Sequence, residues 1–227
     1  MKKLLFTLAA SMFFCSVAAA SPLTDYSQGH YSLDLTVRNT DSSSVFKTSA
    51  YTIDYNVFDK KTNLDTMFTL GLGGKFAAQY NYFAPKSESL SSFTNGEYRL
   101  QNKVQQINVL YKLNKNVAAS FGYASVGTGF SFKNDSYNSD TNYMKSCLTI
   151  GILGTTTIAP KINLWGSFIG GKFLTDYKIG IGYAIQPNLD LNVDYRYIKI
   201  RDINCNFDGT TANGNSKGLG LGLTYKY

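Results

Sequence analysis

The chain has 227 residues, enough for one domain and little more. Apolar residues make up 44% and charged residues only 16%, with 17 Tyr and 15 Phe, which excludes a disordered, charge-rich chain. Three Cys are too few for a disulfide scaffold, and the net charge of +7 is spread without the clustered patch that a nucleic-acid surface wants.

Met1-Lys2-Lys3 is a short basic start, Leu4 to Val17 is mostly apolar, and Ala18-Ala19-Ala20 supplies small residues for cleavage before Ser21. Residues 1–20 therefore read as a secretory signal peptide. A spanning helix needs ~20 apolar residues, more than this run holds. Cys15 follows Met12-Phe13-Phe14, without the Leu three back and the small residue just before it that a lipid anchor needs. Residues 21–28 are a short N-terminal stub, and 29–227 form the main domain. Cleavage removes Lys2 and Lys3 and leaves a net charge of +5.

After Ser21 the pattern has period two, the mark of strands. Tyr31, Leu33, Leu35 and Val37 alternate with His30, Ser32, Asp34 and Thr36. Leu64, Thr66, Phe68, Leu70 and Leu72 come next, then Phe76, Ala78, Tyr80 and Tyr82. Ile107 to Leu113 and Val117 to Tyr123 repeat the pattern, followed by Leu148, Ile150 and Ile152. The segment around Ile162, Leu164 and Phe168 is the least regular. Tyr177 to Tyr183, Leu189 to Tyr197 and Leu219 to Tyr227 complete ten segments. At Ile198-Lys199-Ile200 the phase inverts, which reads as the chain leaving a bilayer with Lys199 at the interface.

Tight turns are expected at Gly73-Gly74, Asn114-Lys115-Asn116, Thr157 to Lys161 and Gln186-Pro187-Asn188. Between them lie longer polar stretches, read as loops: 39–61, 84–102, 126–144, 169–175 and 201–216. Short connections at one end and long ones at the other are the wiring of an outer-membrane barrel, with short turns in the periplasm and loops outside. A soluble β-sandwich shares the period. However, the segments match the 9–11 residues of a tilted spanning strand. Aromatics also gather at both ends of the apolar rows: Tyr31, Phe76, Tyr111, Tyr183, Tyr225 and Tyr227 at the turn end, and Tyr82, Tyr123, Tyr177 and Tyr197 at the loop end. The expected fold is all-β, an up-and-down antiparallel transmembrane β-barrel of ten strands, with eight or twelve as alternatives. The alternation of Tyr51, Ile53, Tyr55 and Val57 leaves twelve open.

Four stretches carry a family resemblance: Phe68-Thr69-Leu70-Gly71-Leu72-Gly73-Gly74-Lys75 leading into Gln79-Tyr80-Asn81-Tyr82; Leu113 to Ala118; Pro187 to Tyr197; and Leu221 to Tyr227. On these the chain resembles small outer-membrane β-barrel proteins of diderm bacteria, the outer membrane protein beta-barrel domain group, over nearly all of 29–227. The resemblance implies a bacterial outer-membrane location. Its partners would be outer-membrane lipid and, during biogenesis, the barrel-assembly machinery and periplasmic chaperones. The closing Tyr225 and Tyr227 look like the assembly signal, with Tyr in place of the commoner final Phe. The family carries no shared catalytic residue.

Asp34, Arg38, Asp65, Lys112, Lys145, Asp176, Lys178, Asp190, Asp194, Arg196 and Lys226 are expected to point into the lumen. They would form either a packed ion-pair plug or the lining of a narrow, slightly anion-preferring conduit. Ten strands lie nearer the filled end of the barrel range, whereas Gly122, Gly180, Gly182, Gly218, Gly220 and Gly222 would leave room. His30 is the single His and falls at the periplasmic end, away from the outer rim where barrel enzymes work. No metal-ligand spacing appears, and Gly218 to Gly222 has no helix after it to make a dinucleotide loop. No cofactor, metal or nucleic acid is expected. Cys147 and Cys205 would meet only if the last loop folded into the mouth. Phe93, Tyr98, Phe130, Phe132, Tyr137 and Phe207 are loop aromatics that an adhesive or receptor surface would use. The reading is a structural or surface-interaction barrel without catalysis. A narrow passive channel is the alternative, and a lipid-modifying enzyme or protease a weaker one.

Overall fold

The computed structural model describes residues 25–47, 52–55, 59–88, 90–91, 97–133, 138–205 and 210–227. The expected signal peptide and residues 21–24 of the stub lie outside the described residues, as do Tyr51, Val57, Phe93, Tyr137 and Phe207.

The alternating segments form β1 (Tyr31–Lys47), β2 (Lys61–Gly73), β3 (Phe76–Phe83), β4 (Glu97–Lys112), β5 (Val117–Lys133), β6 (Asn138–Ala159), β7 (Ile162–Gly171), β8 (Leu174–Gln186), β9 (Leu189–Asn204) and β10 (Thr211–Lys226). Each pairs antiparallel with the next. β10 then returns to β1, from Ser32↔Lys226 to Lys47↔Thr211. The sheet closes on itself and leaves no edge with unpaired N–H and C=O groups, as hydrocarbon demands. Ten strands make the wall. Among the described residues Thr52–Tyr55 pairs only with the top of β1, and Leu90–Ser91 only with β4, so the eight- and twelve-strand alternatives fall.

The turn chemistry follows the residues. Gly73 and Gly74 have φ of 102° and 60°, the left-handed region that only Gly enters freely. At the β6–β7 turn the structure corrects the expectation. Thr157 and Ala159 are still paired with Asn163 and Ile162, so the turn is Pro160-Lys161 alone, with Lys161 at φ 65°.

The apolar rows face outward. Leu148 and Ile150 are 65% and 69% exposed to the surroundings, while Thr149 between them is 2% exposed. Such a surface is stable only against hydrocarbon. Aromatic pairs flank it: Tyr31 stacks on Tyr227 at 5.3 Å and Phe76 meets Tyr111 at 5.1 Å at the turn end. At the loop end Tyr177 stacks on Tyr197 at 5.1 Å.

Four of the five polar stretches are largely strand, which corrects their reading as loops, and 84–102 is strand at 90–91 and 97–102. β6 runs 22 residues, twice what a span requires. The stretch 169–175 reduces to a turn at Lys172-Phe173. Tyr98, Phe130 and Phe132 sit on β4 and β5, not on loop tips. In this upper part the inner row of β4 and β9 gains buried apolar residues and the outer row turns polar, whereas on β1 the inner row stays polar with Thr40, Ser42 and Ser44 buried. Ile198 and Ile200 point inward and are fully buried, and Lys199 stays outside. The strand keeps its pairing through Ile200; a bulge at Arg201-Asp202, with Asp202 at φ 52°, then shifts the phase so that Ile203 is the next residue to point inward.

Candidate functional site

The lumen is filled in three tiers. At the turn end the stub folds under the barrel. The Tyr26 carbonyl accepts from the Gly73 N–H at 2.9 Å, and the buried Tyr26 ring packs with Ala77, Leu110, Ala118 and Leu153. Residues 25–28 are therefore a bottom closure and not a free stub. Burial pushes the Tyr26 phenol up to about 12.

The middle tier is ionic. Asp65 on β2 accepts from Arg38 Nη2 at 3.0 Å, Arg196 Nη1 at 2.7 Å and Lys178 Nζ at 3.2 Å. Arg196 also grips Asp176 with Nε and Nη2 at 3.0 and 2.7 Å, the bidentate geometry of a strong charge-assisted pair. Arg38 reaches Asp194 at 2.6 Å and donates to the Gly218 carbonyl at 3.0 Å. Three cations thus face three carboxylates in this middle tier. Nearer the turn end Asp34 bonds Thr224, and Lys226 pairs with Asp190. Lys112 and Lys145 also lie on the inner row but outside this network. Lys112 sits over the Tyr26 ring at 5.6 Å, and Lys145 over Phe173 at 5.4 Å.

The upper tier holds an apolar cluster. Phe83, Val104, Ala124, Val126, Cys147, Leu174, Ile198, Ile200, Ile203, Cys205 and Ala212 are all buried in it. Phe83 is its floor, with the Arg196 and Arg38 guanidiniums 4.9 and 5.8 Å from its ring. Above, Phe46 and Phe130 meet at 4.7 Å. Cys205 does fold into the mouth, within this cluster, and Cys147 and Cys205 are both free thiols rather than a disulfide pair.

Side chains from separated walls touch across the interior. Asp65 on β2 reaches Arg196 on β9, and Gln106 on β4 donates to Asp176 on β8 at 3.1 Å. Asn102 on β4 donates to Ser216 on β10 at 2.9 Å, and Ser44 on β1 bonds Thr128 on β5 at 2.7 Å. The lumen glycines make room for these side chains and not for a solute, which corrects their reading as free space. A Cβ on Gly180 would lie 2.7 Å from both Asp194 and the Trp165 ring, and one on Gly220 would lie 3.1 Å from the Arg38 guanidinium. A cavity of about 20 Å³ beside Gln79, Asn81, Trp165, Asp176 and Lys178 is the size of one water.

His30 sits at the turn end, half exposed, with Nδ1 3.2 Å from Asp25. Asp25 also accepts from the hydroxyl and backbone N–H of Ser27, bonds that hold its carboxyl below the usual range, with His30 adding to them. The carboxylate is thus shared by the Ser27 hydroxyl and the His30 imidazole. Among the described residues no group of three His, Cys, Asp or Glu side chains is set to hold a metal ion.

A closed sheet with an apolar outer belt, two aromatic girdles and an ion-paired interior defines an integral membrane β-barrel. The family comparison specifies it further: the chain belongs to the outer membrane protein beta-barrel domain family, whose model matches residues 6–227. It is a protein of the bacterial outer membrane. No curated protein sequence matches it. Among solved structures, the outer membrane protease OmpT of Escherichia coli is similar, with a TM-score of 0.61 at 11% identity, covering 88% of this chain and 97% of that one. Neisserial surface protein A gives 0.41 at 15%, covering 88% and 98%. The attachment invasion locus protein Ail of Yersinia pestis gives 0.43 at 10%, covering 87% and 99%. At these identities the likeness is one of fold alone.

Proposed function

We propose that this barrel neither conducts nor catalyses, and that it serves as a structural or surface-interaction protein presenting its loop-end rim to the outside. The observation that supports this best is the bridging of separated walls: hydrogen bonds and ion pairs run from β1 to β5, from β2 to β9 and from β4 to β8 and β10. A solute would have to break this ion-paired network and pass the apolar clusters above and below it. The rim has the groups for recognition. Tyr98 and Phe132 pair at 4.6 Å beside the exposed Arg99–Glu97 pair, an aromatic and charged surface of the kind that binds partners. Assembly would proceed through the barrel-assembly machinery and periplasmic chaperones, with the outward Tyr225 and Tyr227 as the signal.

Planar-bilayer recording of the refolded protein tests the reading. A flat baseline is the expected result. Single-channel steps would overturn it in favour of a narrow passive channel.

A further inference from the structure

Near the loop end β1, β4 and β6 each outrun a neighbouring strand by a long way. The edge this leaves on β1 is covered by Thr52–Tyr55, which pairs with its top. That of β4 is covered by the chain that follows β3. There the Ser87 N–H donates to the Leu100 carbonyl and the Asn102 N–H to the Pro85 carbonyl, and Leu90–Ser91 pairs with Tyr98 and Glu97. The edge of β6 is different. β7 ends at Gly171, opposite Thr149, so Asn138–Leu148 pair with β5 on one side and, among the described residues, with no strand on the other.

The register fixes which groups lie open. The Thr155 N–H donates to the Asn116 carbonyl on the β5 side, and the ladder between β5 and β6 runs without a bulge from Gly154 to Asn138. Odd-numbered residues of β6 therefore bond β5, and the N–H and C=O groups of Asp140, Asn142, Met144 and Ser146 point to the open side. This edge is roughly 35 Å long. Its lower end stands over the turn between β7 and β8, where positive charge gathers. Lys145 and Lys172 set their Nζ atoms 5.4 and 5.2 Å from the Phe173 ring, which packs against the upper apolar cluster. Arg201 is held alongside: its backbone N–H donates to the Phe173 carbonyl at 3.0 Å and its Nη2 to Thr175 Oγ1 at 2.9 Å. The backbone of Asp202 turns toward β10, where its N–H donates to Asn213 Oδ1 at 2.9 Å.

We propose that the open edge of β6 takes up an extended peptide segment of a partner protein outside the cell as an added strand, and that Lys145, Lys172 and Arg201 receive acidic side chains at the segment's membrane-proximal end. This occupant presupposes the outward-facing rim proposed above and gives it a partner. An exposed edge offers a row of unmade backbone bonds, which an added strand completes. The three cations around the turn supply selectivity for acidic sequences. A second copy in the same membrane does not fit. A two-fold axis along the membrane normal runs both β6 strands in the same sense and tilts them oppositely, so their edges cross instead of pairing.

The test uses the full folded chain in detergent micelles and a fluorescent decapeptide of alternating Thr and Val that ends in three Asp, with binding read by anisotropy. Asn142→Pro removes one open-edge N–H and leaves the bonds to β5 in place, a position where an edge strand tolerates proline. It should weaken binding about ten-fold. K145Q/K172Q should weaken it about five-fold, and that loss should vanish when the three Asp of the peptide are replaced by Asn. In the wild-type protein, bound peptide should slow amide hydrogen exchange at Asn142 and Met144, a readout that needs no variant. The proposal is overturned if the wild type does not bind the peptide, if N142P binds it equally, if the Asn peptide binds equally, or if exchange at those two amides is unchanged. Dextran sulfate bound alike by wild type and N142P, with no peptide bound, would make the turn an anion site and overturn the added strand. Peptide binding lost in Y98A/F132A and kept in N142P would also overturn it, while leaving recognition at the rim; conductance steps would instead remove the rim reading itself.

Discussion

The lower and upper halves of the wall are built from the same strands with opposite chemistry. On β9 the stretch Leu189 to Tyr197 turns Leu191 and Val193 outward and buries Asp190, Asn192, Asp194 and Arg196. From Ile198 onward the buried row is Ile198, Ile200 and Ile203, and the outer row carries Lys199. On β4 the same exchange separates exposed Ile107 and Val109, backed by buried Gln106 and Asn108, from buried Val104 and Leu100, backed by Lys103 and Arg99. Backbone pairing runs through the change on both strands, Tyr197↔Lys217 to Ile200↔Gly214 on β9 and Ile107↔Tyr123 to Leu100↔Phe130 on β4. The surrounding medium therefore selects the apolar row: hydrocarbon outside draws it out, and water outside sends it in. The phase of the alternation then records where each residue stands relative to the bilayer.

If that is right, the two halves should fail in different ways. The largest effect is expected at the polar centre. Asp65→Ala leaves Arg38, Lys178 and Arg196 sharing two carboxylates, and breaking a buried ionic cluster on one side costs about 3–5 kcal/mol. Urea unfolding of the barrel in vesicles should show that loss, and a change below 1 kcal/mol would break the picture of a hub. In the upper half the sensitive row is apolar. Leu174→Ala should cost about 2–5 kcal/mol, as in the core of a soluble protein. Next come charges placed on the outer row. Ile150→Lys in the belt should cost about 2–4 kcal/mol, while Asn142→Lys, on the same row of β6 above it, should cost about 0–1 kcal/mol. Equal costs at the two sites would remove the boundary between the halves. The smallest effect concerns the bottom closure. Burial favours neutral Tyr26, so its contribution is fully present below pH 10 and is lost as the pH rises through about 12. The difference in phenolate absorbance between wild type and Tyr26→Phe should have its midpoint near 12; a midpoint near 10 would place the ring in water.

Much of this was legible in the alternation. Period two gives each strand its faces, and Asp34, Arg38, Asp65, Asp176, Asp190, Asp194 and Arg196 fall on the inner row by counting alone. The pairing of those charges was not legible. Asp65 meets Arg196 across 131 residues because of the stagger of a closed sheet, which no local spacing encodes. The upper strands were hidden for a different reason. Val126, Thr128 and Phe130 do alternate, but once the outer row becomes polar the signal is that of an ordinary soluble strand, and the many Ser, Asn and Gly residues read as loop. Tyr26 had no periodicity to reveal it, since a single residue tucked under a ring leaves no pattern. The glycines misled because sequence shows a missing side chain and not the neighbour that occupies its place, as Trp165 and Asp194 do at Gly180.

The seam between β1 and β10 joins residues from the two ends of the chain, and the ionic centre straddles it. Arg38 comes from the first strand, donates to Gly218 on the last and reaches Asp194 on the one before. Until the ring shuts, Arg38 has a partner in Asp65 but none from the far end of the chain, and Asp194 stands uncompensated. A half-wrapped sheet in lipid therefore holds a stranded charge that only completion removes. Closure of the seam is thus coupled to completion of the ionic centre.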